Sequence, residues 1–331
     1  MKISSREISE KSNSFFQKMP RKPKNNSGQS KKGGFSTYKW QARIFIVIML
    51  FLPMLYLFGY DMVTRVQSFI LPFQDYNTGV WNNFKNFEHV WWAITSPAAG
   101  DTSLVVAFKN TLMYFAWNML QTPIGVLLSY FLYKRIAGKK VFVLLLYIPS
   151  IVSSIVLVTA FKELTSMNGV LGAIMKEFGH PLEMSIYKNP ETANIALLSY
   201  CIFFGLDAGI MFYHAAMTRI PHSIFEAARL DGVGPLREAV QIVVPLIMPT
   251  IGTQLVLGSM GFLTASGPIL LFTQGEAGTT TLSFWMYWKI YQDPLGDLGV
   301  VSAMGLCMTL IGLPITLIAL KLNNRIEPIQ Y

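Results

Sequence analysis

The chain alternates long apolar runs with short polar joints. A bilayer core takes roughly 20 mostly apolar residues to cross as helix. Six runs meet that length, at about 43–60, 106–133, 141–161, 194–217, 244–272 and 298–320. The second and fifth exceed it, which predicts tilt or extension into the interface. Pro53, Pro123, Pro149, Pro268 and Pro314 fall inside or at the edges of these runs. Membrane helices tolerate such kinks where neighbouring groups satisfy the freed carbonyls. The pattern predicts an all-α, polytopic membrane protein with six transmembrane helices. It divides into a polar tail over 1–40, a first transmembrane helix with its following loop over 41–105, and a transmembrane body over 106–331.

Composition agrees. The 331 residues are 52% hydrophobic and 14% charged, where a soluble domain carries about 25% charged residues. The formal net charge of +9 raises nucleic acid as a partner, but the basic residues are too polarised along the chain for that reading. With the N-terminus in the cytosol, 20 of the 27 Lys and Arg fall on the inside, as the positive-inside rule requires. Both termini and the joint at 218–243 are therefore expected in the cytosol. The tail over 1–40 is Lys-rich and poor in apolar residues, predicting disorder. It lacks the apolar core and small-residue cleavage site of a signal peptide. Two roles stand open for it, a topology signal touching lipid headgroups or a docking tail. Trp81, Phe84, Phe87, Trp91 and Trp92 crowd the loop at 61–105; such rings favour the headgroup level, and a partner-docking surface is the alternative. Cys201 and Cys307 lie in apolar runs and read as small core residues. His89, His180, His214 and His222 are scattered and make no metal set. Gly28 to Gly34 does not fit a phosphate-binding P-loop. No metal or cofactor is expected on this chain.

The joint between the fourth and fifth runs is the most specific feature. Pro221 ends the preceding pattern. Ser223 followed by Glu226 has the spacing of a capping box, predicting a helix from Ile224 to about Leu230. Gly232 and Gly234 offer positive-φ positions to stop it. Pro235 suits the first turn of a second helix, Leu236 to Val244. The result is a helix–turn–helix elbow. Taken alone, Glu226 need only cap a helix and Asp231 need only make a turn.

The spacing of Glu226, Ala227, Ala228, Asp231, Gly232, Ile242, Pro245 and Pro249 closely resembles the "EAA" coupling loop, here at 218–249, of ABC-importer permeases. Val233 and Ala239 depart from the residues usual there. The likeness extends over about 100–320, through Asn110-Thr111-Leu112, Pro123-Ile124-Gly125, Tyr147-Ile148-Pro149, Thr279-Thr280-Thr281-Leu282 and Leu298-Gly299. The chain resembles the carbohydrate (maltose/glycerol-phosphate-type) permease subunit of a binding-protein-dependent ABC importer. That resemblance implies the type I importer permease fold in a prokaryotic plasma membrane. It implies a second permease subunit, an extracytoplasmic solute-binding protein and a cytosolic ATPase dimer that receives the elbow. ATP and Mg would be bound by the ATPase partners, so the chain itself is not expected to be an enzyme.

A solute path is less sharply marked. Asp207 sits deep in the fourth run, where a charge costs about 2.5–3.5 kcal/mol on insertion scales. It is either a hydrogen-bonding clamp to another span or an acceptor for sugar hydroxyls. In similar permeases the spans flanking the elbow line the solute cavity, which brings in Phe204, Phe262, Thr264 and Ser266. Phe262 is suited to stacking on a sugar face, and Thr264 or Ser266 to hydrogen bonding. Beside the sugar reading stand a phosphorylated polyol or other polar solute, and, from another class, a membrane scaffold that transports nothing.

Overall fold

The computed structural model describes residues 34–76, 78–95, 104–134, 138–205, 207–292 and 298–326. The chain divides into two units, Met1–Thr64 and Arg65–Tyr331. Most of the tail expected over 1–40 lies outside the described residues, but helix α1 (Gly34–Tyr56) already begins inside that range. A π turn over Leu57–Asp61 continues it. Phe45, Phe51, Leu52 and Phe58 all expose more than half of their surface. A helix apolar all round is one that lipid or protein must cover.

In the second unit the helices are α2 (Met62–Ile70, which straddles the boundary), α3 (Lys85–Thr95), α4 (Leu104–Tyr133), α5 (Lys139–Ile151), α6 (Ser154–Leu164) and α7 (Val170–Glu177). Then come α8 (Ala193–Phe204), α9 (Asp207–Met217), α10 (His222–Leu230), α11 (Pro235–Glu238) and α12 (Val244–Met260). The last are α13 (Ile269–Phe272), α14 (Leu282–Gln292) and α15 (Leu298–Asn323). Among the described residues, four helical stretches are long and apolar enough to cross a bilayer: Trp40–Phe73, Ala193–Met217, Pro235–Met260 and Leu298–Asn323. The second expected run is one 30-residue helix, α4; Lys109, Asn110, Asn118 and Gln121 dilute its apolar character. The third is broken at Val152 and Ser153, both extended, just past Pro149.

The fourth and fifth runs differ most from the simple pattern. The fourth is interrupted after Phe204, where Gly205 caps α8. The fifth stops as helix at Met260 rather than continuing to 272. Gly261 closes it, and Gly267-Pro268 prevents resumption beyond the single turn of α13. The segment from there to α14 is irregular, with positive φ at Gln274, Gly275, Ala277 and Gly278. Its polar groups are satisfied internally. Asn110 Nδ2 donates to Gly278 O (2.7 Å) and Thr280 O (2.9 Å), Asn194 Nδ2 to Gly278 O (3.1 Å), and Leu282 N to Thr111 Oγ1 (3.0 Å). Irregular backbone survives at membrane depth only when protein covers it in this way, and Thr279, Thr280 and Thr281 are all buried.

Helix α4 is central, packing on α9, α12 and α14, while α12 also packs on α15 and α15 on α3. Small residues permit the approach. A Cβ on Gly125 of α4 would lie 3.2 Å from the Tyr213 ring, and one on Gly299 of α15 would come within 2.5 Å of Asn86. Tight small-residue seams are how membrane helices associate without a hydrophobic drive. The loop aromatics split into two sets. Phe73, Trp81, Phe84 and Phe87 interlock, with Phe73 and Trp81 stacked at 5.2 Å. Trp91 and Trp92 remain exposed.

Candidate functional site

The elbow is built by local chemistry. Pro221 is the N-cap of α10, extended at φ −60° and ψ 138°, and no side chain caps the helix. The expected capping box does not form, because α10 starts at His222 and Ser223 is already inside it. The C-terminal end follows expectation. Gly232 has φ +70°, Gly232 N donates to Arg229 O (3.1 Å) and Val233 N to Ala228 O (3.0 Å), the two bonds of a Schellman stop. Gly234 is extended, with φ −71°, and supplies no positive φ. Pro235 opens α11, which a π turn over Ala239–Val243 joins to α12. The second arm of the elbow is therefore continuous with a candidate span.

One face of α10 is anchored. Phe225 and Ala228 are buried, Phe225 within a cluster with Val126, Tyr130, Tyr213, Met217 and Val243. The opposite face is open. Glu226, Ala227, Asp231 and Gly232 are exposed, and Leu230 and Leu236 expose 89% and 71% of their surface. Two apolar side chains flank an acid and a tight turn on a surface that nothing among the described residues covers.

A contact that pattern reading passes over holds the elbow in place. Glu238 is 2% exposed, and Lys134 at the end of α4 reaches it at 2.5 Å (Oε1) and 2.7 Å (Oε2). Tyr130 OH donates to Oε1 at 3.2 Å. The same ammonium lies 5.5 Å from the Phe225 ring centroid, so Lys134 touches both arms. Its signal in the sequence is faint: an acid three residues after Pro235, next to Arg237, and a lysine 104 residues earlier.

A second feature is a cavity of about 340 Å3 between α4, the broken fourth run and α12. Asn118, Gln121, Thr122, Tyr213 and Gln254 supply its polar groups, and Gly205, Gly209, Gly258 and Gly261 open space. Its lining holds no charged side chain among the described residues. With its amide turned to satisfy both neighbours, Gln121 accepts from Trp117 Nε1 (2.7 Å) and donates to Gly205 O (3.1 Å). It thereby holds the carbonyl at the break.

The other residues expected on the path are placed nearby but not in the lining. Phe204 packs at a tilt on Tyr200 (4.9 Å) in an aromatic cluster, and Phe262 meets Phe115 edge-on (4.9 Å). Thr264 and Ser266 are exposed on the segment after Gly261, with Ser266 Oγ 3.0 Å from Thr281 Oγ1. Asp207 is the first residue of α9, between the cavity-lining Gly205 and Gly209, and its side chain lies outside the described residues. The amides of Asn118, Gln121 and Gln254 were the readable signal for this cavity, being polar groups inside apolar runs.

Long apolar helices around a broken span and a polar elbow define an integral membrane protein of the transporter type. The fold is shared with the crystal structure of a bacterial alginate ABC transporter in complex with an alginate pentasaccharide-bound periplasmic protein. The TM-score is 0.72 at 21% identity, covering 87% of this chain and 97% of that one. Residues 121–328 match the family described as "Binding-protein-dependent transport system inner membrane component", and the chain belongs to that family. It is similar to the Probable ABC transporter permease protein YesP of Bacillus subtilis (strain 168), 25% identical over 78% of this chain and 83% of the relative. It is also similar to the arabinooligosaccharides transport system permease protein AraP of the same organism, 23% identical over 70% of this chain and 75% of the relative. The chain is thus a permease component rather than an enzyme.

Proposed function

We propose that the chain is one of two permease subunits of an ATP-driven importer that carries a sugar or oligosaccharide into the cytoplasm. In this reading six helices span the plasma membrane of a prokaryote, with both termini cytosolic. The α4 helix and the broken α5–α6 pair complete the four strongest spans. Outside, a solute-binding protein delivers the solute. Inside, the elbow's open face (Glu226, Ala227, Asp231 and Gly232, with Ala228 packed beneath) seats in a soluble ATPase dimer. That dimer binds the ATP and Mg; this chain binds no cofactor.

The observation that carries the substrate class is the set of amides, hydroxyls and glycines that line the cavity, with no Lys or Arg among the described residues there. Carboxamides both donate and accept, so they match sugar hydroxyls in either sense, and glycine lets a ring approach backbone. A phosphorylated polyol would want Lys or Arg in the wall. The transport systems of AraP and the alginate structure give the sugar reading further support. Asp207, Phe204, Phe262, Thr264 and Ser266 adjoin the cavity-lining glycines along the chain and form the flanks of the proposed path.

The test is uptake into proteoliposomes holding the whole complex with its binding protein. Labelled neutral oligosaccharide should enter on ATP addition, and an excess of unlabelled glycerol phosphate should not slow it. Entry of the phosphorylated compound instead would transfer the assignment to that class. No ATP-driven entry of either solute would leave only the scaffold reading.

A further inference from the structure

Beside the elbow lies a second hollow, of about 530 Å3, that neither the coupling face nor the solute cavity accounts for. Lys134 and Tyr133 border it from α4, His214 from α9, and His222, Phe225 and Arg229 from α10. No acid lines it. Lys134 leans toward Glu238, but Arg229 and His222 have no acidic partner among the described residues. His222 is the first residue of α10, a nine-residue helix whose start no side chain caps. The positive end of the helix dipole therefore lies at the His222 end of the hollow.

The walls are as informative as the charges. Tyr133 and Phe225 rings lie 5.3 Å apart. Met211 and Phe212, within a turn of His214, are exposed, as is Phe131 three residues before Lys134. A basic hollow with exposed Met211 and Phe131 one helical turn from two of its lining residues suits a ligand with a phosphate at one end and hydrocarbon at the other. A free phosphate would use the charges and leave the apolar flank unexplained.

We infer that this cleft holds the phosphodiester headgroup of an anionic membrane lipid, with Arg229 as its charged contact, His222 as a hydrogen-bonding one, and the acyl chains along α9 and α4. Such a lipid would brace α10 against the helix ends, beside the surface proposed to meet the ATPases. The inference goes beyond the transport assignment and its test does not depend on transport.

The experiment uses the purified whole complex exchanged into phosphatidylglycerol or phosphatidylcholine, with bound lipid counted by native mass spectrometry and phosphorus assay. Phosphatidylglycerol should be retained preferentially. Arg229→Gln should lower that retention about fivefold with phosphatidylcholine unchanged, and Arg229→Lys should restore most of it. Arg229 is exposed, so folding should survive the change. Equal retention of both lipids, or indifference to Arg229→Gln, overturns the inference. Binding of inorganic phosphate that Arg229→Gln abolishes, with no lipid preference, moves the source to a free anion and overturns the lipid assignment. Loss of the soluble subunits from Arg229→Gln with lipid counts unchanged would make the cleft a protein seat and overturn it as well.

Discussion

Glu238 and Lys134 form an unequal pair. The carboxylate is 2% exposed, whereas the lysine side chain keeps 24% of its surface. The two halves should therefore respond differently to removal. Lys134→Met strands a buried carboxylate with only the Tyr130 hydroxyl beside it, and breaking a buried pair in this way costs about 3–5 kcal/mol. Glu238→Gln keeps an acceptor for Tyr130 and Lys134, and the lysine can turn toward water, so its cost should be nearer 1–2 kcal/mol. Thermal unfolding of the solubilised protein checks the order, with Lys134→Met melting at the lower temperature. The reverse order would mean that the elbow is not anchored through the buried acid.

Helix breaks are the features that separate the structure from its hydropathy pattern, and glycine governs them in two distinct ways. At Gly205 an added Cβ would meet Cys201 O at 2.4 Å, a backbone atom that cannot step aside. At Gly258 it would meet Met119 Cε, also at 2.4 Å, the free end of a flexible side chain. Gly205→Ala should thus cost about 1–3 kcal/mol, and Gly258→Ala much less, by the same thermal measurement. Equal losses would show that the Gly205 break relaxes as readily as a methionine. Such distinctions explain what could be read from the sequence. The Gly232 stop and the Pro235 start depend on neighbours a few residues away, and both formed as expected. The capping box failed because Pro221, already extended, took the N-cap position ahead of Ser223. The end of α12 at Met260 was hidden because residues 261–272 are apolar whether they run as helix or fold into a buried loop. The irregular segment that follows is held by Asn110 and Asn194, far away in sequence, which donate to the carbonyls of Gly278 and Thr280. The Lys134–Glu238 pair has the same long-range character. The cavity was missed for another reason: attention to one charged residue, Asp207, passed over the neutral amides on a different helix.

At the scale of the molecule, the cavity and the elbow share a wall. Tyr213 lines the cavity and packs in the same cluster as Phe225, Met217 and Val243 of the elbow and its neighbours. Met217 and Val243 are fully buried, and close-packed interiors of this kind transmit displacement rather than absorb it. Solute at one end and the ATPases at the other would then bias one packed body, while each end keeps its own chemistry. That division predicts separable kinetics in the assembled complex, read as solute-stimulated ATP hydrolysis. Gln254→Leu removes a hydrogen-bonding group from the cavity without adding bulk, so the half-saturating solute concentration should rise about fivefold or more, the worth of roughly one lost neutral hydrogen bond, with the maximal rate nearly unchanged. Glu226→Lys reverses an exposed charge on the face proposed to meet the ATPases, so the maximal stimulated rate should fall several-fold while half-saturation and melting temperature stay near wild type. The double variant should show both changes at once, each at its single-variant size if the sites act independently, and with an added interaction if the shared cluster couples them. Should Gln254→Leu lower the maximal rate and leave half-saturation alone, the cavity would be part of the moving machinery and not a solute site.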